Sequence, residues 1–318
     1  MQGLIGMSVT LISGSANPAL TESVAARLGV KAAGRVLERF PDGELHVQVQ
    51  EDLRGHDVYL LQPTGPPVDA HLLELLLLAD ACRRAGAVRL TAVVPYFGYA
   101  RQDRRARGGE PVGGRVAADL IAASGLHRVV AVDLHTAALE GFLAVPLEHL
   151  SAVPLLVEAV RPALPERAVI VAPDLGAVKL AERYARALDR PVATVHKVRL
   201  SGEEVRARGL VGEVRGRAPL VVDDMISTGG TITAAITTLL AAGCVPEVTV
   251  VASHALLVGP AVERLGAQPI RRLIVTDSVA IPRDLPLRLE VAGLGPLLAE
   301  AIDALHHERP LGRLLAEG

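Results

Sequence analysis

The chain has 318 residues, half of them hydrophobic, but only 3 Phe, 4 Tyr and no Trp, so its apolar side chains are almost all aliphatic. This composition excludes intrinsic disorder, and the length suffices for about two domains that fold without disulfides or structural metal. The 33 basic and 35 acidic side chains leave a formal net charge of −2, which excludes an overall pull toward nucleic acid or an anionic membrane; any anion must be bound locally.

The N-terminus has no basic residue before Arg27, and 7–13 reads as a strand, so no secretory signal is expected. Further apolar runs at 58–62, 90–94, 129–133, 169–172, 220–223, 248–252 and 272–276 read as strands. Ala/Leu-rich helical stretches separate them. This alternation predicts an α/β fold with mostly parallel sheet, and ligands in such sheets bind beyond the carboxyl ends of the strands. The helix-then-strand segment 75–94 has a counterpart in 236–252, as duplication of one unit would give, and predicts domains at 1–150 and 151–318 with the boundary in the Pro-containing stretch 150–165. The longest charge-free stretch, 225–246, contains three Gly and six Ser or Thr and reads as a strand end, loop and buried helix, not a membrane span. A helix at 296–307 closes the chain. Cys82 and Cys244 are far apart and in no metal spacing, as expected of buried thiols in a reducing compartment, the cytoplasm by default.

The most specific stretch is 220–232, Leu-Val-Val-Asp-Asp-Met-Ile-Ser-Thr-Gly-Gly-Thr-Ile. A buried strand ends in Asp223 and Asp224, and a loop of small residues turns into a helix near Thr231. Ser227, Thr228 and Thr231 offer hydroxyls, while Gly229 and Gly230 let backbone N–H groups approach an anion at the positive end of the helix. That is a phosphate cradle. The adjoining acids would repel a phosphate, so they suit the hydroxyls of a sugar on the same ligand.

Arg101, Arg104, Arg105 and Arg107 form the densest basic cluster, suited either to oligophosphate oxygens or to a solvated loop. His135 and Asp174 each follow a strand and are compatible with a shared Mg2+, which takes few protein ligands, or with structural roles. Lys197 and Arg199 lie in a polar, Gly-containing segment after a strand. With three Lys against 30 Arg in the chain, a Lys retained there points to a required ammonium. No Walker motif occurs, which disfavours a P-loop kinase.

Stretch 220–232 resembles the phosphoribosyl pyrophosphate motif of type I phosphoribosyltransferases and, more closely, of ribose-phosphate diphosphokinases. Phe40-Pro-Asp-Gly-Glu44, Pro95-Tyr-Phe-Gly-Tyr-Ala-Arg-Gln-Asp-Arg104, Val132-Asp-Leu-His135 with Gly141-Phe142, Pro173-Asp-Leu-Gly176 and Lys197-Val-Arg199 are similar to the diphosphokinases in order and spacing. The resemblance covers nearly the whole chain.

It implies two phosphoribosyltransferase-like domains, nucleotide on the first and ribose 5-phosphate on the second, with the site between them in a cytoplasmic homo-oligomer. It also implies transfer of the β,γ-diphosphoryl group of Mg-ATP to O1 of ribose 5-phosphate, giving 5-phosphoribosyl 1-diphosphate and AMP. By the same resemblance ATP is contacted by Phe40, Asp42, Gly43, Glu44, Arg101 and Gln102, with Asp42, Gly43 and Glu44 reaching it from a neighbouring subunit, and Phe40 is the candidate to stack on adenine. Ribose 5-phosphate falls to Arg199, Asp223, Asp224, Ser227, Thr228, Gly229, Gly230 and Thr231, Mg2+ to His135 and Asp174, and catalysis to Lys197 and Arg199 on a closing loop.

Ser227 stands where many members carry Asp, and Gly176-Ala177 replaces a Gly pair, as in archaeal-type or less common bacterial members. Control by phosphate or ADP and a hexameric assembly are therefore not carried over. A phosphoribosyltransferase and a catalytically silent regulatory subunit remain as alternatives.

Overall fold

A computed structural model describes residues 7–198, 207–282 and 285–316. The chain divides into two units, the first made of Met1–Ser151, Ser278–Ala280 and Gly293–Gly318, the second of Ala152–Asp277 and Ile281–Ala292.

In the first unit the chain runs β1 (Ser8–Ser13), α1 (Pro18–Leu28), β2 (Arg35–Arg39), β3 (Leu45–Val49), β4 (His56–Leu61), α2 (Val68–Arg84), β5 (Arg89–Val94), α3 (Gly113–Ala123), β6 (Arg128–Val132), α4 (Ala138–Phe142) and β7 (Leu147–Leu150). Helix α1 begins because the side chain of Asn17, the chain's single Asn, accepts a hydrogen bond from Leu20 N at 3.2 Å, with Pro18 preset for the first turn. The five-stranded sheet has the order β1-β4-β5-β6-β7, all parallel, and β2 and β3 form a separate antiparallel hairpin. Parallel strands are covered on both faces, which is why their sequences are continuous apolar runs; Leu60, Leu75, Leu78, Val94 and Ile121 are buried in this core.

The second unit contains α5 (Val153–Val160), β8 (Ala168–Ala172), α6 (Val178–Leu188), β9 (Val192–Val198), β10 (Ala207–Val211), β11 (Ala218–Ile226), α7 (Gly230–Ala241), β12 (Val248–Ala255), α8 (Ala261–Gly266), β13 (Ile270–Thr276) and β14 (Leu289–Ala292). Its sheet runs β10-β9-β8-β11-β12-β13-β14, parallel except for β9 with β10. The two units share one plan. Each has a strand and helix (β1-α1; β8-α6, the latter preceded by α5), then an antiparallel pair (β2-β3; β9-β10), then strand-helix-strand (β4-α2-β5; β11-α7-β12). The repeated segments therefore occupy matching stations, α2 with β5 and α7 with β12.

The expected assignment of all of 151–318 to the second domain is corrected at the C-terminus. Helix α9 (Gly295–His306) packs on α1 and belongs to the first unit. Its Leu298 and Ile302 are buried, and a Cβ at Gly295 would lie 2.2 Å from Ser23 Oγ, so the two helices meet at a glycine. The tail then bridges to β7, where Ala316 N donates to the His149 carbonyl at 2.7 Å. The amphipathic pattern specified a helix but not which sheet it covers.

The charge-free stretch resolves as the end of β11, a loop and α7, whose Ile232, Ala235, Ile236 and Leu239 face the second core. Among the described residues no helix is long and apolar enough to cross a membrane.

Candidate functional site

In the second sheet the strand order reverses between β8 and β11, since β9 and β10 continue to one side of β8 while β12, β13 and β14 continue to the other. Such a switch point opens a crevice beyond the carboxyl ends of the strands. Pairing of β11 with β8 stops at Val221–Val171, whereas pairing with β12 continues to Ile226–Ala255, so Asp223 and Asp224 emerge where β8 has turned away. On the β8 side Asp174 lies just past the strand. Its Oδ1 accepts from Gly176 N at 2.9 Å and Ala177 N at 3.3 Å, which fixes the entry to α6.

The loop that follows β11 has its carbonyls fastened from behind. Leu257 N donates to Ile226 O and Val258 N to Ser227 O, both at 3.0 Å, and Arg264 Nη1 donates to Thr228 O at 3.3 Å. Gly229 then turns the chain with φ +74°, and a Cβ there would press on Leu265 Cγ at 3.3 Å, so both backbone conformation and space call for glycine. No side chain caps α7, which leaves the amides of its first turn as unmet donors beside the hydroxyls of Ser227, Thr228 and Thr231. Six of the expected residues, Ser227, Thr228, Gly229, Gly230, Thr231 and Asp224, thus join Asp223 at one strand-to-helix junction.

The charges of this junction are unbalanced. Asp223 is half-buried, and burial pushes its carboxyl well above the ordinary carboxylate range; the negative charge of Asp224, a hydrogen bond with that carboxyl and the charge of Asp174 add to the effect. The Asp224 amide donates to Asp223 Oδ1 at 3.0 Å, which only partly offsets it. A site that strains to keep its carboxylates ionised is one that gains from hydroxyl donors or a cation.

In the first unit the expected nucleotide residues lie on two separate segments, and the expected metal residue His135 lies on a third. The turn of the β2–β3 hairpin carries Phe40, Asp42, Gly43 and Glu44, all exposed. Asp42 Oδ1 accepts from Glu44 N at 3.0 Å and Arg39 donates to Gly43 O at 2.7 Å, so part of this motif shapes the turn itself. The Phe40 ring is half exposed and lies against His46 with centroids 5.4 Å apart.

Arg101 and Gln102 follow the end of β5. Gln102 N donates to Tyr99 O at 2.9 Å and Gly114 N to Gln102 O at 3.0 Å, and a Cβ at Gly113 would lie 2.4 Å from Gln102 Oε1, so the start of α3 is built against this residue. Arg104 pairs with Asp103 at 3.6 Å, while Arg101, Arg105 and Arg107 are exposed. His135 is exposed past the end of β6, in a loop that opens on Asp133 at φ 38°. Tyr99, at φ 64°, marks the other loop. Non-glycine residues in this region carry backbone strain that concentrates at functional segments. The Asp133 strain is held by Ser151 Oγ, which donates to Asp133 Oδ1 at 3.1 Å.

Lys197 stands near the carboxyl end of β9, in register with Arg208 of β10; Arg199 lies outside the described residues. Arg264 escaped the sequence reading because it belongs to α8, far along the chain from the loop it touches. The aromatic reading is also sharpened. Tyr96 and Phe97 are buried in packing and Phe142 is partly buried, so of the aromatics in these motifs Phe40 presents the most open ring.

Comparison with known proteins fits this geometry. Residues 9–125 match the profile of the N-terminal domain of ribose phosphate pyrophosphokinase, and residues 160–269 that of the phosphoribosyl transferase domain. The chain is 43% identical over 300 residues to a ribose-phosphate pyrophosphokinase of Gloeobacter violaceus, covering 94% of this chain and 90% of that protein. It is 38% identical over 310 residues to the Bacillus subtilis ribose-phosphate pyrophosphokinase, covering 97% and 98%. The crystal structure of phosphoribosylpyrophosphate synthetase from Mycobacterium smegmatis superposes with a TM-score of 0.89 at 37% identity, over 95% of this chain and 99% of that one. With this similarity running through both units and the motifs standing at the strand ends, the chain belongs to the ribose-phosphate pyrophosphokinase family.

Proposed function

We propose that the chain transfers the β,γ-diphosphoryl group of ATP to O1 of ribose 5-phosphate, giving 5-phosphoribosyl 1-diphosphate and AMP for nucleotide biosynthesis in the cytoplasm. The observation that carries this reading is the β11–α7 junction, where an uncapped helix N-terminus directly follows two charge-coupled carboxylates. The first-turn amides of α7 and the hydroxyls of Ser227, Thr228 and Thr231 hold the 5-phosphate. Asp223 and Asp224 accept hydrogen bonds from the ribose hydroxyls, which fixes the orientation of O1. Phosphoryl transfer depends chiefly on alignment and charge neutralisation, so attack at the β-phosphorus instead of the γ-phosphorus follows from where the two substrates are held.

ATP is assigned to Phe40, Asp42, Gly43, Glu44, Arg101 and Gln102, with Phe40 stacking on adenine and the guanidinium of Arg101 on the phosphates. Lys197 and Arg199 stabilise charge developing on the transferred group. The donor set suits Mg2+: the excess negative charge at Asp174, Asp223 and Asp224 favours a divalent cation, and Mg2+ takes one or two protein ligands beside substrate phosphates. Asp174 and His135 are the residues assigned to it. When bound it neutralises phosphate charge during transfer. Self-association belongs to the same reading and is supported by the exposed Leu73 and Leu77 on α2 and Val116 and Leu120 on α3, two helices that touch.

Incubation with ribose 5-phosphate and Mg-ATP, followed by nucleotide chromatography, tests the reading. AMP is the expected nucleotide product. ADP would identify an ordinary kinase, and no turnover would remove the proposal.

A further inference from the structure

The phosphate loop has a charge problem that its own sequence does not solve. From Ala218 to Gly243 the chain contains no Lys or Arg, yet it carries Asp223 and Asp224, with Asp174 close enough to act on Asp223. A helix N-terminus supplies only about half a positive charge. A phosphomonoester, close to a dianion at neutral pH, therefore approaches a junction of net negative charge.

Within the described residues, the guanidinium that reaches this loop is that of Arg264 on α8. Its Nη1 donates to Thr228 O at 3.3 Å and lies 3.6 Å from where a Cβ of Gly230 would stand. Arg264 is exposed, and among the described residues its side chain donates to the Thr228 carbonyl, an uncharged partner that leaves its charge uncompensated. The same helix braces Gly229 through Leu265 and Ala261.

We propose that Arg264 is a positioning residue for the phosphoryl end of the substrate: it clamps the Thr228 carbonyl from behind and holds a full positive charge beside Gly230, so that the loop accepts a phosphomonoester despite its acidic neighbours. The inference rests on the reading of 227–231 as the 5-phosphate cradle. It assigns Arg264 to recognition of the sugar phosphate and not to ATP.

Steady-state kinetics of three substitutions test it. Arg264→Met raises KM for ribose 5-phosphate about tenfold or more, the loss expected for a charge-assisted hydrogen bond, while KM for ATP and kcat stay within about twofold. Arg264→Lys, which keeps the charge and a donor, restores most of the affinity, and Arg264→Gln, which keeps only a donor, does not. The exposed position predicts an unchanged Tm for all three. The proposal is overturned if Arg264→Met leaves KM for ribose 5-phosphate within about twofold, if both KM values rise together, or if Arg264→Lys is no better than Arg264→Met. The double substitution S227A/T228A separates the role of Arg264 from that of the cradle. If it raises KM for ribose 5-phosphate and Arg264→Met does not, the role of Arg264 falls and the cradle stands; if neither does, the cradle itself is wrong.

Discussion

Asp223 is the residue whose chemistry is most exposed to measurement. Burial, and then Asp224 and Asp174, hold its carboxyl pKa above the ordinary range, so in the free protein it keeps its proton to a higher pH than an isolated aspartate. The sign for stability follows: a folded-state value above the unfolded one favours the native chain at low pH, and that contribution is lost as pH rises through the raised value. Ribose hydroxyls need the ionised form as acceptor. KM for ribose 5-phosphate should therefore rise as pH is lowered through that range, and Asp224→Asn, by removing a neighbouring negative charge, should move the inflection to lower pH. Titration of the substrate phosphate is common to both proteins and does not shift between them. An inflection that stays in place in Asp224→Asn would show that Asp223 is not the titrating group. At this scale the sequence was legible where residues that stand together are also contiguous in the chain, as in 223–231. It was not legible at Arg264, whose contact with Thr228 depends on the packing of α8, nor at Tyr96 and Phe97, whose rings pack into the core although they sit inside a stretch assigned by resemblance to ATP.

Among the elements, α9 shows how a local pattern leaves its partner open. The composition of 296–307 specifies an apolar-faced helix, but its seat on α1 is fixed by a buried ionic cluster at the start of β4 and β5. Asp57 is fully buried; Arg89 Nε donates to its Oδ1 at 2.8 Å, His306 Nδ1 lies 2.7 Å from Oδ2, and Tyr59 donates to Oδ2 at 3.0 Å. Arg89 also donates to the Leu305 carbonyl at 3.3 Å, tying the end of α9 to the sheet. Burial alone would raise the Asp57 pKa, but the hydrogen bonds from Arg89, His306 and Tyr59 together with the Arg89 charge leave it lowered. The stability it contributes is thus present above the ordinary carboxylate range and is lost as pH falls through the lowered value. Arg89→Met strands this carboxylate and should cost about 3 kcal/mol in urea unfolding, with amide-exchange protection in α9 falling along with it. A loss of only a few tenths of a kcal/mol would mean that the cluster does not hold the helix. Strands β1, β4, β5, β6, β8, β11, β12 and β13 were legible, because continuous aliphatic runs in a parallel sheet leave little choice between strand and helix, whereas β2, β3, β7, β10 and β14, which are short and carry polar or charged residues, were not.

For the whole molecule, two units of one plan carry different sequence motifs on the same scaffold. The first places its motifs on a hairpin and on the loops after β5 and β6; the second concentrates its own at the β8–β11 switch point. The duplication was readable in the sequence because the matching segments keep both order and spacing, whereas the return of the last 26 residues to the first unit was not, since no periodicity encodes a contact between chain ends. The apolar side chains exposed on α2 and α3 predict self-association. Sedimentation should give a species larger than one 33.3 kDa chain, reduced by the pair Leu77→Lys and Leu120→Lys, and a monomeric wild-type protein would contradict this.

Attack of ribose 5-phosphate on the β-phosphorus of ATP is read from the fate of a label placed at that phosphorus. AMP alone does not distinguish transfer from hydrolysis to AMP and pyrophosphate, but the fate of the label does. Label is expected in the 1-diphosphate of the ribose product, equimolar with AMP. Label recovered in ADP or in free pyrophosphate would contradict it.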